Sequence, residues 1–81
     1  SSDLKAIREI FQAVHREMRM LADECLFIGD SLQADVGGAL TSGMKAMLAA
    51  FGRGEEKPAD GTYYVVRSFG ECMAPGFLDR L

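Results

Sequence analysis

Apolar and polar positions change period as the chain is read. Residues 3–18, DLKAIREIFQAVHREM, place Leu4, Ile7, Ile10, Phe11, Val14 and Met18 three or four apart. That is the stripe of an amphipathic helix, with Asp3 or Ser2 available to cap its start. The pattern then turns continuous at Cys25-Leu26-Phe27-Ile28 and stops at Gly29, which predicts a short strand over 25–29 buried on both faces. Residues 32–42 suit a second helix, with Ala34, Val36, Ala39 and Leu40 as packing positions and Gly43 as a left-handed C-cap. KAMLAA, residues 45–50, reads as a second strand. GRGEEKPADG, residues 52–61, reads as a polar loop with Glu55-Glu56-Lys57 at a solvated tip. TYYVVR, residues 62–67, is β-branched and aromatic and predicts a third strand, with Tyr63 and Tyr64 on opposite faces. Ser68 can cap a last helical stretch that Pro75-Gly76 breaks, leaving Phe77, Leu78 and Leu81 as a final apolar patch.

The order α-β-α-β-β, with helices between strands, predicts an α/β fold: a short parallel sheet of about three strands with right-handed crossovers, flanked by helices. No repeat or low-complexity segment interrupts it. No strand opens the sequence, as if the sheet were part of a larger one.

Composition narrows the partners. The 81 residues, with 48% apolar and 26% charged, make an ordinary globular domain with a thin core. Nine basic against twelve acidic residues leave a net charge of −3, which excludes the basic footprint of a nonspecific nucleic-acid binder and disfavours an anionic membrane surface. No apolar run is long enough to span a bilayer. Two cysteines far apart, Cys25 and Cys72, form no metal or redox spacing, so a reducing cytoplasm is the expected location. The lone His15 has no triad partner in sequence context, and the glycines at 37, 38 and 43 lack the Lys-Ser/Thr of a phosphate loop. They read instead as sites of close packing on the sheet.

Candidate chemistry gathers where the first strand ends. Ligands of parallel α/β sheets bind outside the carboxyl ends of strands. Asp30 stands one residue past such an end, beside Gly29 and Ser31, and Asp35 follows about a helical turn later. Gly29 is expected to allow a sharp turn there. Mg2+ takes oxygen ligands and is commonly held by one or two carboxylates with water and phosphate, so Asp30 as ligand with Asp35 as second ligand or support makes chemical sense. The plainer alternative is that Asp30 or Ser31 caps the helix and Asp35 is solvated.

CLFIGDSLQADVGGALTSGMKAML, residues 25–48, resembles the fourth motif of the haloacid dehalogenase-like (HAD) hydrolases in its Gly-Asp-(four residues)-Asp form. Ser42-Gly43-Met44-Lys45-Ala46 resembles the family's usual exit into the next strand, and ADGTYYVVRSFGEC its segment before the last helix. The resemblance implies a three-layer Rossmann-like core and Mg2+ held by Asp30 and Asp35 for phosphoryl transfer to an aspartate. The family's lysine motif lies some 25 residues before the motif-four aspartate and commonly reads K-P-D-P-x-I-F. Here Lys5-Ala6-Ile7-Arg8-Glu9-Ile10-Phe11 keeps the lysine and the Ile-Phe pair without the prolines. Lys5 is therefore either the residue that balances charge on the phosphoaspartate or a surface lysine of the helix.

The family's nucleophile motif, Asp-x-Asp, occurs nowhere in residues 1–81, and without a nucleophile the covalent route is lost. The resemblance thus implies the C-terminal half of a HAD-like domain, residues 1–81 forming one truncated domain with no cap and no activity alone, and at most weak Mg2+ binding. Two alternatives stand beside it: a phosphatase subunit completed in trans by a chain carrying the Asp-x-Asp half, and a small self-associating module. In the family the strand matching 25–29 lies inside the sheet. Here its free edge predicts a homodimer through 25–29, or by exchange of helix 3–18.

Overall fold

The computed structural model describes residues 2–54 and 60–81, with side chains from Lys5 onward. The Glu55-Glu56-Lys57 tip lies outside the described residues. Helix α1, Ser2–Glu17, is amphipathic as its spacing predicts, but among the described side chains of the stripe only Ile7 and Phe11 pack on the core, while Ile10 and Val14 are exposed and Met18 lies past the helix end. Ser2 and Asp3 fall inside its first turn rather than before it, so neither is the residue preceding the helix. The helix closes with paired bonds from Met20 N–H to His15 O (2.9 Å) and from Arg19 N–H to Arg16 O (3.0 Å). Arg19 takes the left-handed conformation that glycine usually supplies at such an end (φ 56°).

Strand β1, Leu26–Gly29, follows, then a wide π-helical turn over Leu32–Val36 that runs into α2, Gly37–Thr41. Gly43, at φ +84°, ends α2 as expected, with Met44 N–H on Ala39 O (3.0 Å) and Gly43 N–H on Leu40 O (3.1 Å). Strand β2 is Lys45–Ala49 and β3 is Tyr64–Val66. Helix α3, Phe69–Cys72, starts at Ser68, whose hydroxyl accepts from Glu71 N–H at 3.1 Å. A last 3-10 turn spans Leu78–Arg80.

The sheet order is β1-β2-β3, all parallel, with Phe27 beside Ala46, Ile28 beside Met47 and Leu48 beside Val65. Registered neighbours share a face. Phe11, Cys25, Val36, Ala39, Met44, Ala46, Leu48 and Ala50 form the core on the α1–α2 side, and Phe27, Tyr63 and Val65 pack on it. Phe11 meets Phe27 edge-on with ring centroids 4.7 Å apart. Met47, Val66 and Phe77 form the core of the opposite face, flanked by Leu26, Tyr64, Cys72 and Leu81. The two tyrosines thus divide between the faces as their alternation predicts. The result is three layers around a short parallel sheet.

Several expectations need correction. The strand buried on both faces is β2, where Ala46, Met47 and Leu48 are all buried. β1 is only half-buried, and Ile28 is 48% exposed. The cause is position: among the described residues β1 pairs on one side only, and the C-terminal segment covers the far face around Met47 and Val66 but stops short of Ile28. Ala34 is exposed. It stands two residues from buried Val36 and so on roughly the opposite side of the turn, and its N–H is turned to the Ser31 hydroxyl. Leu78 points to solvent while Phe77 is buried, so the terminal patch is narrower than its apolar letters suggest. Of the methionines, Met44 and Met47 fill the core, whereas Met18, Met20 and Met73 are exposed.

Gly38 is a site of close packing, but against helix α1 rather than on the sheet. A Cβ there would come within 3.0 Å of Phe11 Cε2 and Ile7 Cγ2, so the missing side chain is what lets α1 lie against α2.

Candidate functional site

The carboxyl ends of the parallel strands carry the site. β1 ends at Gly29, and Asp30 is exposed immediately beyond it. Ser31 is the N-cap of the wide turn: its hydroxyl accepts from Ala34 N–H at 3.0 Å. Asp35 answers in the other direction, Oδ2 accepting from Ser31 N–H at 3.0 Å. This is a capping box drawn out by one residue. The turn is π-helical, with Val36 N–H reaching Ser31 O at 3.1 Å, so the acid that folds back stands four residues after the cap rather than three.

The sequence left open a solvated Asp35 capped past by Ser31, or a metal-facing pair. The structure answers each half separately. Ser31 is the cap, while Asp35 is half-buried and committed to Ser31 N–H. Gly29 also has a different reason from the one expected. Its φ is not positive. Asp35 instead packs directly over it, and a Cβ on Gly29 would lie inside 3.0 Å of Asp35 Cβ, Cγ and Oδ2.

Lys5 occupies the correct end of the molecule without reaching the acids. α1 runs opposite to β1, since Phe11 meets Phe27 and Asp35 shares a pocket with Ile10 and Phe11 while Met18 lines one with Cys25 and Leu26. The N-terminal end of α1 therefore lies toward Asp30. The Lys5 side chain is 71% exposed and its ammonium sits 4.0 Å from the Glu9 carboxylate, an i,i+4 pair on the helix surface.

Arg53 is the residue that sequence reading passed over as part of a polar loop. Its Nη2 donates to Asp30 O at 2.6 Å and to Ala49 O at 3.1 Å. The available signal was positional: the loop after β2 opens at the same sheet end as Asp30, where ligands of this architecture gather. Asp60 belongs elsewhere. It precedes β3 and so lies toward the opposite end of the sheet, where the Thr62 hydroxyl and N–H donate to its carboxylate and hold its pKa below the ordinary range.

The donor set suits one position of a Mg2+ shell rather than a whole one. Asp30 is exposed and open to a cation, Asp35 is engaged by the backbone, and no cluster of three or more His, Cys, Asp or Glu gathers among the described residues. Mg2+ prefers six oxygens in octahedral array, so the remaining positions fall to water, phosphate or groups outside these residues.

The sequence model of the HAD-hydrolase-like family matches residues 5–72. The chain belongs to the HAD-like hydrolase family. Among curated proteins it is 34% identical over 73 residues to a bovine (Bos taurus) phospholysine phosphohistidine inorganic pyrophosphate phosphatase, a match covering 90% of this chain and 24% of that protein. The chain thus spans about a quarter of the relative it resembles. No solved structure matches it. HAD-like hydrolases generally use Mg2+, in keeping with an exposed aspartate at the end of a parallel strand. No helix among the described residues is long and apolar enough to cross a membrane.

Proposed function

We propose that these 81 residues form the metal-side acid corner of a HAD-type phosphatase and do not hydrolyse phosphate esters by themselves. The observation that carries the reading is the pairing of roles at the end of β1: Asp30 exposed beyond the strand, Asp35 folded back to hold the loop that presents it. Asp30 would supply one Mg2+ ligand, Asp35 would orient Ser31 and the turn, and Lys5 would approach a phosphorylated carboxylate only by leaving Glu9. Mg2+ would supply charge neutralisation for a phosphate. The nucleophile would come from an Asp-x-Asp strand outside residues 1–81, seated along the free edge of β1, in the same polypeptide or in another. Substrate class follows from that other part, and the phospholysine, phosphohistidine and inorganic pyrophosphate of the relative's name mark the range to try first.

Titrating the chain with Mg2+ tests the metal corner. Amide shifts are expected to centre on Gly29–Asp35 and to vanish in Asp30→Asn, with weak affinity. Shifts centred on the segment around residue 60 would contradict the assignment.

The edge itself favours a second reading, a protein that closes its sheet with its own copy in the cytoplasm. Among the described residues β1 pairs only with β2, Ile28 is half exposed, and a groove of about 380 Å³, lined mostly by apolar side chains such as Val14, Met18, Leu26 and Phe27 but also by Glu24, runs between α1 and β1. A two-fold dimer through 25–29, or by exchange of helix 3–18, would cover it. Sedimentation at micromolar concentration would then give twice the monomer mass. A monomer would eliminate this reading.

A further inference from the structure

We propose that Arg53 is a positioning residue that locks the Asp30–Ser31 peptide unit and thereby sets where the Asp30 carboxylate stands. The inference rests on the reading of Asp30 as the metal-side acid and names a residue on which that acid depends.

A peptide unit is planar, so its carbonyl and N–H turn together. Both ends of this one are gripped from different parts of the chain. The Asp30 carbonyl accepts from Arg53 Nη2 at 2.6 Å, and the Ser31 N–H donates to Asp35 Oδ2 at 3.0 Å. Rotating the plane breaks both hydrogen bonds at once, and both are charge-assisted, which makes them stronger than ordinary hydrogen bonds between neutral groups. The plane joins ψ of Asp30 to φ of Ser31, so holding it fixes the backbone from which the Asp30 side chain departs.

The arginine is well placed for the task. The last registered pair between β1 and β2 is Gly29 with Leu48, so Asp30 lies one residue beyond the ladder, where no further rung restrains it. Arg53 also donates to Ala49 O at 3.1 Å, tying the end of β2 to the loop after β1 across 23 residues of sequence. A tight turn delivers it: Gly52 takes φ +70°, and Arg53 N–H donates to Ala50 O at 3.1 Å. A lysine retains the charge and can reach one carbonyl, but lacks the planar fork of the guanidinium.

Amide hydrogen exchange reads the latch without any activity, because the Ser31 N–H belongs to the peptide in question. In Arg53→Ala, Ser31 exchange is expected to rise about tenfold or more, the loss expected for one charge-assisted bond, while Leu48 and Val66 in the sheet stay unchanged. Arg53→Lys should restore part of the protection. Unchanged exchange at Ser31 in Arg53→Ala would overturn the proposal, as would an equal rise at Leu48 and Val66, which would make Arg53 a general support of the sheet. Mg2+ titration of the same variants separates the two readings. If the wild-type chain shows no shift at Gly29–Asp35, the metal assignment fails, and the exchange result still decides the role of Arg53.

Discussion

Gly29→Ala is expected to destabilise the domain by about 1–3 kcal/mol or more, the range for forcing an extra methyl into a filled space. The obstacle is the Asp35 Cβ as much as its carboxylate. A carboxylate can swing aside, but a Cβ moves only with its backbone, here the turn that Ser31 caps. Asp35→Ala in the same background keeps that Cβ and is therefore expected to recover little. The equivalent clash at Gly38 involves ring and methyl atoms of Phe11 and Ile7, which can shift, so Gly38→Ala should be the milder of the two. Urea unfolding of the variants compares them. A loss below about 0.5 kcal/mol for Gly29→Ala, the usual scale of a neutral surface change, would show that Asp35 does not sit over Gly29 as described.

Leu48→Ala should cost more, about 2–5 kcal/mol for a buried leucine truncated to a methyl group. Leu48 is fully buried in the central strand, where its side chain joins the core beneath α1 and α2. A domain of this length has a total stability on the order of 4–12 kcal/mol, so the substitution would remove a large share of it and lower the urea midpoint accordingly. Ile28→Ala is the natural contrast. Ile28 lies one strand away and is half exposed on the far face, and its replacement should change stability little. Equal losses for the two would mean that β1 is covered in solution, as the self-paired form requires.

The reasons these two strands differ show what the letters of a sequence can carry. Cys25-Leu26-Phe27-Ile28 and Ala46-Met47-Leu48 are similarly apolar, and the continuous run alone marks the first as the strand buried on both faces. Which of them has a neighbour on each side is a property of the sheet, and only the order β1-β2-β3 settles it. Local chemistry was far more legible. The Gly43 cap, the Ser68 cap and the division of Tyr63 from Tyr64 each depend on a few adjacent residues, and each stands where the sequence puts it. Asp30 was visible for the same reason, since a strand end followed by an acid is a local pattern. The service that Asp35 performs was hidden by the wide turn, which moves the capping acid one place beyond the usual spacing. Arg53 was hidden by distance: its bond to Asp30 spans 23 residues, and nothing within the loop itself announces it.

As proposed, residues 1–81 carry the acid corner of a HAD-type phosphatase without its nucleophile. The most direct test of that proposal is hydrolysis of a generic aryl phosphate by the isolated chain, with and without Mg2+, beside Asp30→Asn. The expected result is no rate above buffer in any of the three conditions, because no Asp-x-Asp is present to form the phosphoaspartate. A Mg2+-dependent rate that disappears in Asp30→Asn would contradict it and would mean that a nucleophile lies within these 81 residues.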